Sequence, residues 1–156
     1  MRTLLPEDIV PLCDLTRRTA MFREDEVETL NEVLTDFLAA NSEYGHRCLV
    51  EVGDDGIPSG FIYFAPESMT IRGWNVWWIV VETGTQRRGL GSRMLAAAEE
   101  AIAQEHGRLI LIETSGLAKY EPTCRFYLRN GYDLRARVAD YYADGDDMLI
   151  FAKRAK

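Results

Sequence analysis

The stretch that most constrains the fold is 74–81, Trp-Asn-Val-Trp-Trp-Ile-Val-Val, where nearly every position is apolar or aromatic. A strand with one wet face alternates, whereas this run reads as a central strand covered on both faces. Four residues further on comes Gln86-Arg87-Arg88-Gly89-Leu90-Gly91, and then a segment with Leu90, Met94, Leu95, Ala98, Ala101 and Ile102 on one helical face, with Arg93, Glu99, Glu100 and Gln104 largely opposite. Strand, glycine turn and amphipathic helix therefore follow one another in close succession, and Gly107 is expected to close the helix.

The rest of the chain predicts elements on both sides of this unit. Residues 1–5 read as a short strand stopped by Pro6, with Trp77 and Trp78 assigned to the core of the central strand. Helices are expected over 7–19 and 24–40, the second from Val27, Leu30, Val33, Leu34, Phe37 and Leu38. Strands at 48–52 and 60–64 flank Asp54-Asp55-Gly56, a turn signal for an antiparallel hairpin. A buried strand at 109–112, a helix from Pro122 to Asn130 stopped by Gly131, and two closing strands over 132–140 and 148–153 complete the order β-α-α-β-β-β-α-β-α-β-β. With 156 residues and no linker or repeat, one domain over 1–156 is the expectation.

Composition excludes several classes. Apolar residues are 47% and charged residues 28%, as in a folded soluble chain, and no apolar run approaches the ~20 residues of a membrane span. The N-terminus lacks the apolar core of a secretory signal, so a cytoplasmic location is expected. Cys13, Cys48 and Cys124 form neither a disulfide framework nor a zinc pattern, and His46 and His106 are far apart, so no metal is expected. A net charge of −7 disfavours nucleic acid as a partner and is compatible with an amine or basic peptide.

Gly89 and Gly91 at a helix start bring free backbone N–H groups and the positive helix end together, which suits a phosphate without carboxylate or metal help. Arg87 and Arg88 add charge, and Ser92 offers a hydroxyl. A Walker loop would need Gly-Lys followed by Ser or Thr, and a dinucleotide fingerprint would need glycine where Met94 stands, so neither is supported.

The segment 79–95 resembles motif A of the GNAT N-acetyltransferase family, a strand ending L-x-V followed after four residues by Q/R-x-x-G-x-G/A. Ile79 and Val81 fill the strand positions; Gln86, Gly89 and Gly91 fill the loop. The family's second signature, F-Y-x-x-x-G-F/Y, stands at Phe126, Tyr127, Gly131 and Tyr132. The resemblance implies an α/β (α+β) fold with a mixed, mostly antiparallel sheet of six or seven strands flanked by four helices. It implies an acetyl-CoA-dependent N-acetyltransferase without a metal, acting on a primary amine of a small molecule or peptide. A homodimer is compatible with it, and neither membrane nor nucleic acid is an expected partner.

Residue by residue, the resemblance implies that the backbone of Ile79, Val80 and Val81 pairs with the pantetheine arm, and that Gln86, Arg87, Arg88, Gly89, Leu90, Gly91 and Ser92 hold the pyrophosphate. Tyr127 corresponds to the tyrosine that protonates the departing thiolate. Many relatives carry Asn and Ala seven and four residues earlier, where this chain has Tyr120 and Thr123; either Tyr120 or Thr114 replaces the asparagine contact or the cofactor sits slightly differently, and Thr123 and Arg125, near the start of the helix, are further candidates for touching it. Glu113 and Glu82 are the candidate bases, through water, and Glu24, Asp25 and Glu26 are candidates for attracting a cationic acceptor. Trp74, Trp77, Trp78, Tyr141 and Tyr142 are candidates for shaping the acceptor pocket. Cys124 is discounted as a nucleophile for want of a nearby base. The alternatives are a non-catalytic acyl-CoA-binding domain, in which Tyr127 only packs, and a transferase for a longer acyl chain.

Overall fold

The computed structural model describes residues 1–53, 55–85 and 89–155. In chain order the elements are β1 (Arg2–Thr3), α1 (Ile9–Arg18), α2 (Glu24–Ala39), β2 (Arg47–Val52), β3 (Pro58–Pro66), β4 (Gly73–Val81), α3 (Leu90–Gln104), β5 (Leu109–Ser115), α4 (Glu121–Arg129), β6 (Asp133–Ala143) and β7 (Asp146–Arg154). This is the expected order. The strands form one seven-stranded sheet, β1-β2-β3-β4-β5-β7-β6, in which only β4 and β5 run parallel.

Two apolar layers sandwich the sheet. Leu12, Cys13 and Leu15 of α1 and Val27, Leu30, Leu34 and Phe37 of α2 recur at three- and four-residue steps and pack on Phe61 and Tyr63 of β3. Met94, Leu95, Ala98 and Ile102 of α3, with Tyr127 of α4, pack on Ile62 and Phe64 on the opposite face. Residues 61–64 are thus buried on both sides, with the side-chain alternation of a strand dividing them between the layers.

The same division in β4 depends on a bulge. Tyr63 pairs with Trp78 while Phe64 pairs with Val76, which leaves Trp77 without a partner on β3. One extra residue reverses the parity of everything after it. Trp74 and Val76 face the α3 and α4 layer; beyond the bulge Ile79 and Val81 pack against that layer, while Trp78 and Val80 pack against the other.

Four expectations need correction. Only Arg2 and Thr3 pair as a strand within 1–5. The helix at 90–104 closes with His106 in the left-handed conformation (φ 57°), its N–H donating to Ala103 and that of Gly107 to Ile102, so histidine takes the place usually given to glycine. β5 continues to Ser115, because Glu113, Thr114 and Ser115 pair with Ile150, Leu149 and Met148. Trp77 is no core residue: it is 56% exposed, since the bulge pushes it out of the ladder. No helix among the described residues is long and apolar enough to cross a membrane.

Candidate active site

The site begins where two strands part. β4 and β5 pair only from Gly73 with Leu109 to Val76 with Ile112. Beyond that point β4 stays bonded to β3 as far as Val81, and β5 stays bonded to β7 as far as Ser115. Each strand is held from its outer side, so among the described residues the edges that face each other are left without a ladder. The bulge at Trp77 falls at this fork and adds local twist to β4. From the fork to Val80 the inward edge of β4 is therefore open, among the described residues, to an extended ligand, as any unpaired strand edge is.

Two connected hollows occupy the fork. The outer one, about 630 Å³, lies between the start of α3 and the side of α4, with Gly89, Gly91 and Ser92 on one wall and Pro122, Phe126, Arg129 and Asn130 on the other. The inner one, about 170 Å³, is bounded by Trp77, Trp78, Glu113, Thr114, Tyr120 and Tyr127, and by Thr19, Met21 and Phe22 from the α1–α2 connection. Ile79, Val81 and Thr123 line both, which makes them one trough.

At its outer end the two glycines have different duties. Gly89 adopts φ 78° as the residue before α3, and a Cβ there would meet nothing within 4 Å, so its requirement is conformational. A Cβ on Gly91 would stand 3.3 Å from the Phe126 ring, so its requirement is the close approach of α3 to α4. The first-turn N–H groups of α3 have no intrahelical acceptor, and Gly89, Gly91 and Ser92 at this end line the outer hollow. The side chain of Leu90 is buried in the core, leaving only its backbone for a ligand. Gln86, Arg87 and Arg88 lie outside the described residues.

Tyr127 sits at the inner end. Its ring is 4% exposed and packs on Phe126 (5.4 Å), Phe151 (5.4 Å) and Tyr132 (6.3 Å). Among the described residues its hydroxyl has no hydrogen-bond partner, although the residue lines the inner hollow. Burial pushes its pKa above that of an ordinary phenol, which keeps the proton on the oxygen.

The carboxylates separate by their partners. Glu113 lines the inner hollow and, among the described residues, makes no hydrogen bond or ion pair. Glu82 lines neither hollow; Arg18 binds it at 2.5 Å and, with Thr83, holds its carboxyl below the usual carboxylate range. A carboxylate held anionic in this way is a poor proton acceptor. Glu24 is bound by Arg17 at 2.7 Å and Asp25 by Arg23 at 3.0 Å, while Glu26 accepts from the Arg23 backbone N–H at 2.7 Å and so caps α2. These three serve the helix start.

The aromatic candidates divide likewise. Trp77 and Trp78 border the inner hollow, and Trp78 stacks at a tilt on Phe22, 5.3 Å between centroids. Trp74 is buried at the other end of β4. Tyr141 and Tyr142 lie on β6, an edge strand exposed along its whole length. The Tyr142 phenol is pushed up to about 12 by burial first and by the charge of Glu113 second. Cys124 is half-buried among apolar side chains, and burial raises its thiol pKa, the opposite of an activated nucleophile.

Tyr120 donates its hydroxyl proton to the Met21 carbonyl at 2.7 Å, and Lys119 Nζ donates to the same oxygen at 3.0 Å. The connection before α4 thereby ties down the α1–α2 loop. Sequence reasoning missed Met21, Phe22 and Thr19, whose only local signal is their place between two amphipathic helices. It also missed Asn130, Phe126 and Arg129 as lining residues, although they sit inside the second motif.

A family model described as an acetyltransferase (GNAT) domain matches residues 44–134. A crystal structure of a GNAT-family protein from Desulfovibrio desulfuricans is 29% identical, with a TM-score of 0.94 over 100% of this chain and 98% of that one. An aminoglycoside 6′-N-acetyltransferase complexed with coenzyme A (19% identity, TM-score 0.81) and an aminoglycoside 6′-acetyltransferase type Ii (22% identity, TM-score 0.81) share the fold over 99% of this chain and 96% of theirs. No curated protein matches the chain. The matched region runs from the end of the α2 connection through the parted strands, the glycine turn and the Tyr127 helix, and the chain belongs to the GNAT family of acetyltransferases.

Proposed function

We propose that the chain, as one domain over 1–156, transfers an acetyl group from acetyl-coenzyme A to a primary amine of a small molecule or peptide by direct attack. The observation that carries this is a single trough with an open helix N-terminus at one end, an open strand edge along its floor and, at the other end, a Tyr127 hydroxyl without a partner among the described residues. Relatives of the same fold are acetyltransferases, one of them complexed with coenzyme A.

The pyrophosphate would rest on backbone N–H groups of Gly89, Leu90, Gly91 and Ser92, and the pantetheine arm would add to the edge formed by Ile79, Val80 and Val81. Thr114 and Thr123 offer hydroxyls beside this path, on the walls of the trough. The amine nitrogen attacks the thioester carbonyl carbon, the C–N bond forms, and the C–S bond breaks as the tetrahedral intermediate collapses. Tyr127 donates its proton to the leaving thiolate, a thiol departs, and the second proton that the nitrogen sheds as the amide forms returns through water to the Tyr127 oxygen. An ammonium substrate first loses a proton, through water, to Glu113, whose uncommitted carboxylate borders the inner hollow. Of the two candidate bases, Glu113 is favoured over Glu82, which is bound to Arg18.

A volume of about 170 Å³ beside Trp77, Trp78 and Phe22 favours acetyl over a longer acyl group. Glu113→Gln keeps the side-chain shape and removes the proton acceptor, so kcat/KM for an ammonium acceptor falls by roughly 10- to 100-fold. An unchanged value sinks the assignment. The activity itself is tested by incubating the protein with acetyl-CoA and a broad amine panel and reading mass gains of one acetyl. Tight acetyl-CoA binding with no acetylated product across the panel instead favours a non-catalytic acyl-CoA-binding domain.

A further inference from the structure

Arg125 and Arg129, four residues apart, share one side of α4, and with Glu121 and Pro122 they border a further hollow of about 510 Å³. It adjoins the outer end of the trough, since Pro122 and Arg129 line both. Arg125 is paired with Glu121 and adds no net charge. Arg129 is exposed and, among the described residues, makes no hydrogen bond or ion pair. It therefore stands as an uncommitted guanidinium across the outer hollow from Gly89, Gly91 and Ser92.

A cation in that position has a specific use if coenzyme A occupies the trough, and the following rests on that reading. The α3 N-terminus accounts for the pyrophosphate and the β4 edge for the pantetheine arm. Coenzyme A carries one more anionic group, the phosphate monoester on its ribose 3′ oxygen, close to doubly charged at neutral pH. This group is attached on the nucleotide side of the pyrophosphate, away from the thioester, and so leaves the trough at its outer end. A guanidinium takes two phosphate oxygens at once through parallel N–H donors. The chain as a whole carries a net charge of −7, so an uncommitted cation at the entrance also offsets long-range repulsion of a polyanionic ligand. We propose that Arg129 binds the 3′-phosphate of coenzyme A and makes this chain select coenzyme A over its 3′-dephospho form.

Calorimetric titration of the whole chain with coenzyme A and with 3′-dephospho-coenzyme A tests this. The wild-type protein binds coenzyme A roughly tenfold more tightly than the dephospho form, the size expected of one partly exposed charge-assisted contact. In Arg129→Ala that ratio falls towards one through weaker binding of coenzyme A, while the dephospho form binds as before; Arg129→Lys retains part of the ratio. Because the preference is a contact between charges in water, it also shrinks as salt is raised. Arg129 is exposed on its helix, so neither substitution disturbs a packed layer. A wild-type ratio near one, or an undiminished ratio in Arg129→Ala, overturns the assignment and leaves acetyl-CoA binding intact as a reading. Failure of both ligands to bind the wild-type protein overturns both together.

Discussion

Tyr127→Phe lowers kcat by roughly 10²-fold and leaves the dissociation constant for acetyl-CoA within about twofold of wild type. The substitution removes one oxygen that has no hydrogen-bond partner among the described residues, so neither the ring packing nor the cofactor walls change. What disappears is the proton delivered to sulfur as the C–S bond breaks, an interaction needed only on the way to products. Thiol release under steady-state conditions gives kcat, and calorimetry gives binding. Burial raises the Tyr127 pKa, and the acid works only while protonated. The wild-type rate therefore holds on the alkaline side up to and beyond about pH 10, where an ordinary phenol would already be losing its proton. Weakened binding with unchanged turnover per bound complex would refute the acid assignment and leave Tyr127 as a packing residue.

Phe151→Ala destabilises the protein by about 3–5 kcal/mol and lowers Tm by roughly 10 °C. Phe151 is 1% exposed on β7, where it pairs with Ile112 of β5 on one side and Leu134 of β6 on the other. Its ring stands 5.4 Å from that of Tyr127. Truncation leaves a hole between sheet and α4 that the surrounding close-packed layer fills only in part. The same hole removes one wall of the Tyr127 ring, so kcat falls at temperatures where the variant is fully folded, while the KM for acetyl-CoA changes less. Phe151→Leu, which keeps most of the volume, gives a smaller loss of both. Thermal unfolding together with kcat at low temperature checks the pair; a variant with unchanged Tm would mean that the ring contributes no packing at this position.

The two halves of the trough differ in how far they can be read from residue order. Gly89 and Gly91 before an amphipathic run, and Phe126-Tyr127 before Gly131, are local patterns, and their helices lie within a residue or two of where periodicity puts them. The apolar run 74–81 is different. Because nearly every residue is apolar, it has no alternation from which to tell one face from the other, and a bulge at Trp77 leaves no trace in such a pattern. Pairing with β3 decides that Ile79 and Val81 face α3 and α4 and that Trp77 stands exposed.

Carboxylates were the least legible. Glu82 and Glu113 both stand at or near the ends of strands that leave the fork, and as residues they are interchangeable. Arg18, distant in sequence, reaches one of them, while the other faces the inner hollow beside Tyr127. Met21 is a similar case: its carbonyl anchors Tyr120 and Lys119 across a long separation in the chain.

By itself the sequence determined the order of elements, a central strand covered on both faces, and the two motifs whose family resemblance implies a sheet flanked by helices. These depend on interactions among near neighbours, which repeat with the backbone's own period. Tertiary structure alone decided where β4 and β5 separate, which candidate carboxylate borders the inner hollow, and that Arg129 stands at the mouth of the trough without an ion-pair partner among the described residues. Those outcomes depend on pairings between residues far apart in sequence, and ion pairs and strand register become definite only when the elements meet.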